Sequence, residues 1–230
     1  MASMQNARVR TKICCISSVE EARLAVAAGA DALGLVAKMP SGPGPISDAL
    51  ISEIVATVPP PVSCFLLTSE TEPEAVVAHV RRCGTDTVQL VDAVPLETYE
   101  ALRRDCPTVR IVQVIHVEDE AAIDEAKTLA PHVDALLLDS GRPKAAARDG
   151  AAKELGGTGR THDWSVSAKL VAEVEKPVFL AGGLNASNVG EAIRAVSPFG
   201  VDLCSGVRTD DALDAEKLRA YFGVVGQREC

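Results

Sequence analysis

The chain has no apolar run long enough to cross a membrane, and its opening residues, MASMQNARVRTK, lack the apolar stretch of a secretory signal. A cytoplasmic location is expected, with residues 1–8 and 227–230 as loose tails around one folded unit at 9–226. Neither C-x-x-C nor H-E-x-x-H spacing occurs among the seven cysteines (14, 15, 64, 83, 106, 204, 230) and four histidines (79, 116, 132, 162), so no metal site is expected. The odd, scattered cysteine count argues for free thiols rather than a disulfide framework. Positive charge is in deficit: the formal net charge of -9 argues against nucleic acid or an anionic membrane as partner. A small anion at a locally positive site remains compatible with it. No G-x-G-x-x-G follows the first strand-like segment, which argues against an open dinucleotide-binding sheet. Nor does any linker divide the chain, since the Pro/Gly-rich MPSGPGP lies between a strand and a helix.

What is present is a regular alternation. RVRTKICC, ALGLVA, PVSCFLL, TVQLVDA, RIVQVIHV, DALLLDS, PVFLAGG and VDLCSGV read as short buried strands. Each is followed by an amphipathic stretch, beginning with SVEEARLAVAAG, whose serine cap and acidic first turn announce a helix. Buried strands separated by helices imply a parallel sheet covered by helices. Eight such units in 230 residues predict a single closed (β/α)8 TIM barrel. The active site then lies at the C-terminal ends of the strands.

Strand alternation places Val9, Thr11, Ile13 and Cys15 toward the helix layer and Arg8, Arg10, Lys12 and Cys14 toward the barrel interior. Cys14 is expected at the mouth with Lys12 one layer below, where an ammonium favours the thiolate, the form that acts as a base. A small buried hydrophobe is the competing role for Cys14 and the expected one for Cys15. Asp139 ends an otherwise apolar strand; it is either a loop hydrogen-bonder or a general acid. Asp202 lies within strand 8, beside strand 1 in a closed barrel, where it can neutralise Lys12. GGTG (Gly156, Gly157, Thr158, Gly159), AGGLN (with Gly182 and Gly183) and CSG (with Ser205 and Gly206) fall in the last three βα loops. Backbone N–H groups of glycine loops approach anions closely, and this end of the fold is its usual phosphate site.

Together these motifs resemble phosphoribosylanthranilate isomerase of tryptophan biosynthesis. KIC, GADALGLV, VQL, LLLDS, GGTGRTHDW, LAGGLNASNV and GVDLCSGV match its pattern in order over nearly the whole chain. The resemblance implies an Amadori rearrangement of a phosphorylated sugar-amine without a cofactor, Cys14 acting as general base and Asp139 as general acid, in a monomer or homodimer. The chain departs from the family in three places. Cys15 stands where the family has glycine, VD replaces HG after QL, and AKMPSGPGPIS replaces the loop whose arginine holds the anthranilate carboxylate. No arginine occurs between Arg23 and Arg81. Arg208, Lys38, Arg160 and His162 are the cations available to replace it, and the loop at 141–155 is long enough to serve as a lid. Two other readings fit the residues: an isomerase or lyase of another phosphorylated aminosugar or ketose, and a non-catalytic barrel that binds a phosphorylated metabolite.

Overall fold

The computed structural model describes residues 8–40, 42–140 and 163–226. Eight strands form one closed parallel barrel in chain order. They are β1 (Arg10–Ile13), β2 (Ala32–Val36), β3 (Ser63–Thr68), β4 (Thr87–Leu90), β5 (Arg110–His116), β6 (Ala135–Asp139), β7 (Val178–Leu180) and β8 (Gly200–Leu203). The covering helices are α1 (Val19–Ala28), α2 (Asp48–Thr57), α3 (Pro73–Cys83), α4 (Leu96–Asp105), α5 (Ala121–Leu129), α6 (Trp164–Glu173), α7 (Val189–Val196) and α8 (Ala215–Gly226). The protein is therefore a (β/α)8 barrel. Beyond β8 a two-residue turn at Asp210 and Asp211, both with positive φ, joins β9 (Arg208–Thr209) to β10 (Ala212–Leu213) in a small antiparallel hairpin.

Local chemistry sets the boundaries. Ser18 caps α1 by accepting the Glu21 N–H at 3.1 Å, and Gly29 ends that helix in the left-handed conformation. Three aspartates placed just before even-numbered strands each accept a main-chain N–H of the preceding strand. Asp31 takes that of Thr11 at 2.8 Å, Asp86 that of Cys64 at 3.1 Å and Asp134 that of Ile111 at 2.8 Å. These carboxylates satisfy donors at strand starts, where the ladder has not yet begun.

The core has two parts. Outward-facing residues such as Ile13, Leu33, Leu35, Leu66 and Leu136 pack beneath the helices. Inward-facing ones, among them Val36, Phe65, Leu67, Val112, Leu137 and Phe179, fill the barrel. The seam between β1 and β8 pairs Lys12 with Asp202, and there Lys12 Nζ lies 2.8 Å from Asp202 Oδ2. The lysine is fully buried, and its ammonium also sits 5.4 Å from the centre of the Phe65 ring. A lone buried charge is far more costly than a paired one. Lys12→Met, which strands Asp202, is expected to lower unfolding free energy by about 3–5 kcal/mol. Lys12→Met combined with Asp202→Asn is expected to lose much less. Urea titrations of both variants decide this, and equal losses would mean that the pair contributes no charge compensation.

Candidate active site

Cys14 follows the last residue of β1. Its N–H donates to the Leu203 carbonyl at 2.7 Å, and its side chain packs with the barrel-interior cluster. Room for it comes from Gly34 on the neighbouring strand β2. A Cβ added at Gly34 would lie 2.6 Å from Cys14 Sγ and 2.9 Å from Lys12 Nζ. The absence of one methyl group thus leaves space for both the thiol and the ammonium beneath it.

The sequence places Cys15 in the helix layer, but the structure turns it the other way. Strand geometry ends at Ile13, and Cys15 adopts a left-handed backbone with φ 62°, so the in-and-out alternation stops before it. Its side chain joins the barrel-interior cluster, against which Cys204 also packs. Left-handed backbone costs a side-chain-bearing residue roughly 1–2 kcal/mol relative to glycine. Cys15 is more than packing: its thiol shares the interior cluster with Cys14 and is the largest influence on it. That influence, opposed by burial and assisted by the Lys12 ammonium, draws the Cys14 thiol down from 9.0 to about 6. Cys15 itself is held well above its ordinary value by Cys14, then Cys204, then burial, so it remains protonated.

Lys12 is raised above its ordinary value: burial opposes its charge, but Asp202 and then Cys14 outweigh that. For Asp202 burial dominates and pushes the carboxyl up to about 8; Lys12 pulls it partly back, and Cys14 adds repulsion. One charged ammonium therefore serves two acids, and Asp202 and Cys14 compete for the negative charge it can neutralise. Asp202 Oδ1 is buried without a hydrogen-bond partner among the described residues, leaving a place for a proton.

Asp139 ends β6 at the same mouth. Its Oδ1 accepts the Ser140 N–H at 2.7 Å, and its Oδ2 takes no hydrogen bond among the described residues. In the β7–α7 loop, Gly182 and Gly183 have φ 90° and 61°, and neither N–H meets an acceptor among the described residues. The side chain of Asn188 donates to the Gly183 carbonyl at 3.0 Å and fixes the loop's shape. Ser205 and Gly206 form a 3-10 turn after β8 that lies directly against this loop. A Cβ at Gly206 would come within 2.0 Å of the Leu184 carbonyl. Gly156, Gly157, Thr158, Gly159, Arg160, His162 and the expected lid at 141–155 lie outside the described residues.

The structure does not support Arg208 as the cation for a substrate carboxylate. Its guanidinium is about nine-tenths buried and donates to Glu21 at 2.7 and 3.1 Å, to the Asp211 carbonyl and to the Cys15 carbonyl. Only Nε lacks a partner among the described residues, and a single N–H cannot grip a carboxylate bidentately. Lys38, just after β2, is exposed and has no ion pair among the described residues. Sequence reading missed Glu21 and Gly34. Glu21 looks like an ordinary acidic residue in a first helical turn; a glycine inside an apolar strand is itself a signal of close approach. Away from the mouth, Asp48, His79 and Cys83 converge between α2 and α3. There His79 bonds Thr68 at 2.9 Å and Asp48 at 3.2 Å, and Arg82 holds Asp48 at 2.9 Å, so these groups clip the two helices together.

A barrel with an ionisable thiol ending strand 1, a carboxyl group ending strand 6 and interlocked glycine loops after strands 7 and 8 has the layout of a phosphosugar isomerase. Residues 11–224 match the family model of N-(5'-phosphoribosyl)anthranilate isomerase, and the chain belongs to that family of aldose–ketose isomerases. It is 38% identical over 209 residues to N-(5'-phosphoribosyl)anthranilate isomerase 2 of Methanosarcina mazei, covering 90% of this chain and 89% of that protein. It is 39% identical over 201 residues to the isomerase of Halobacterium salinarum, covering 86% of each. The crystal structure of the Thermus thermophilus isomerase superposes with a TM-score of 0.79 at 30% identity, over 95% of this chain and 99% of that one. An isomerase bound to reduced 1-(o-carboxyphenylamino)-1-deoxyribulose 5-phosphate superposes at 0.76 with 27% identity, over the same shares.

The Gly34 cradle is directly testable. Gly34→Ala is expected to displace Cys14 and Lys12 and to reduce turnover roughly 100-fold or more, the effect of an ångström-scale misplacement of a reacting group. Steady-state kinetics on a variant shown to be folded by circular dichroism checks this. Wild-type turnover would show that the cradle is loose.

Proposed function

We propose that this chain carries out the family's Amadori rearrangement with Cys14 as general base and Asp139 as general acid. Asp139 protonates the furanose ring oxygen of N-(5'-phosphoribosyl)anthranilate. The C1'–O bond breaks as the nitrogen lone pair forms a C=N bond, giving an open-chain Schiff base. The Cys14 thiolate takes the C2' proton, the C–H electrons form the C1'–C2' double bond, and nitrogen recovers its lone pair. The enol-amine tautomerises to the ketone by losing its hydroxyl proton and gaining one at C1'. The observation that carries this reading is the Cys14 environment: a thiol drawn to about 6 above a buried ammonium, at the barrel mouth.

The N–H groups of Gly182 and Gly183, with the Ser205–Gly206 turn and the start of α7, hold the phosphate end. Lys38 is assigned to the anthranilate carboxylate, because it is exposed at the end of β2, without an ion pair among the described residues, where the family's arginine loop begins. Cytoplasmic placement draws support from the described cysteines, all six of which are free thiols. A homodimer is one of the two states open to the chain, and the Thermotoga maritima relative is a dimeric enzyme from which monomers have been made.

Cys14→Ser and Asp139→Asn are each expected to fold normally and lose roughly 100- to 10,000-fold in kcat on phosphoribosylanthranilate. Near-normal turnover in either variant would remove that residue from the mechanism. The base must be deprotonated to act, so kcat/KM is expected to rise with pH through a midpoint near 6 and to be level by pH 8. An unperturbed thiol would still be climbing there, and Cys15→Ala, which removes the neighbouring thiol, is expected to move the midpoint upward.

Lys38→Ala is expected to raise KM about 10-fold or more with little change in kcat, as loss of ground-state binding requires. An unchanged KM would exclude Lys38 as the carboxylate partner. An inactive wild type would point to a different aminosugar phosphate as substrate, a reading favoured by the altered β2 loop.

A further inference from the structure

The loop from β1 to α1 carries the base, and its backbone bends at a residue unsuited to the bend. Cys15 holds φ 62° with a side chain in place, where the family pattern has glycine. Its carbonyl is taken by Arg208 Nη2. Arg208 is in turn gripped by Glu21, whose Oε2 lies 2.7 Å from Nη2 and whose Oε1 lies 3.1 Å from Nη1. The same carboxylate accepts the Ser17 N–H at 2.9 Å, from the far side of the bend, and the Leu213 N–H at 2.8 Å, from the β9–β10 hairpin. The ion pair thus clamps the first βα loop to the eighth. Side-chain exposures of 8% for Arg208 and 13% for Glu21 put this clamp under cover, where an ion pair contributes little net stability and is better suited to fixing one geometry. Although burial pushes the Glu21 carboxyl up, Arg208 and the Leu213 and Ser17 N–H groups outweigh it and hold the carboxyl below the usual range, so the clamp stays ionised at neutral pH.

We infer that Arg208 and Glu21 are positioning residues for the catalytic base: they hold the left-handed Cys15 peptide and through it set the Cys15 side chain beside Cys14 at the end of β1. They touch no reacting atom and act through the loop. The inference rests on the reading of Cys14 as base, and it explains how the chain uses cysteine where glycine would bend without support.

The experiment is a double-mutant cycle between Arg208→Gln and Cys15→Gly, read by kcat, KM and the pH dependence of Cys14 alkylation by iodoacetamide, followed on the Cys14 peptide by mass spectrometry. Arg208→Gln is expected to lower kcat roughly 10- to 100-fold with KM nearly unchanged, and to raise the alkylation midpoint by about one pH unit. In the Cys15→Gly background, where the bend needs no support, the same substitution is expected to change kcat by less than about threefold. If Arg208→Gln does not fold, Glu21→Gln/Arg208→Gln, which leaves no unpaired buried charge, takes its place in the cycle. An equal loss in both backgrounds, or an unchanged midpoint and kcat, overturns the inference. Failure of the base reading is seen separately, as retained turnover in Cys14→Ser, and the alkylation midpoint tests the clamp even then.

Discussion

A lysine ammonium enclosed in a barrel must be neutralised, and the site is arranged around that requirement. Lys12 is fully buried, and Asp202 meets it across the strand pair that closes the barrel. Closure of the fold and charging of the site are therefore one event: until β8 docks beside β1, Lys12 has no counter-ion. Once docked, the ammonium supports negative charge on Cys14 as well. Asp202 and Cys14 compete for the charge of one cation, and burial pushes the Asp202 carboxyl above its usual range while Lys12 pulls it partly back.

That layer reaches the surface through the loops. Cys14 is positioned from below by Lys12, from the side by the missing side chain of Gly34 and from above by the Cys15 thiol. Cys15 is steadied in turn by the β9–β10 hairpin through Arg208. The proposed phosphate end is built differently. There the close approach of Gly206 to the Leu184 carbonyl locks two loops together, and the Gly182 and Gly183 N–H groups meet no acceptor among the described residues. Buried charge is thus concentrated around Cys14, while interlocked backbone forms the β7 and β8 loops.

Much of this was legible in the sequence, because periodicity reports burial and burial decides the barrel. The strand runs and the serine cap of α1 locate the elements, and alternation along RTKIC correctly separates Lys12 from Ile13. The reading failed where alternation ends. Nothing in the letters CC says that the second residue adopts a positive φ, since a cysteine is an improbable occupant of that conformation. Arg208 was misjudged for a related reason. A cation next to a glycine turn looks available for an anion, and its true partner, Glu21, lies 187 residues away in sequence. Long-range pairing of single charges carries no local signature, whereas the aspartates before β2, β4 and β6 recur at corresponding points and announce a shared task.

Two of the departures from the family pattern meet in space. Gly44, in the loop after β2, has φ 78°, and a Cβ placed there would stand 2.8 Å from Cys15 Cβ. With cysteine rather than glycine after the base, that point of the β2 loop has no room for a side chain. The loop follows β2 closely, with the Ile46 N–H bonded to the Val36 carbonyl at 2.8 Å, so it cannot swing away to make space. In this geometry Cys15 and a side chain at position 44 exclude each other. Cys15 thus bears on two loops at once: its side chain lies beside Cys14, and its Cβ bars a side chain from position 44 of the β2 loop.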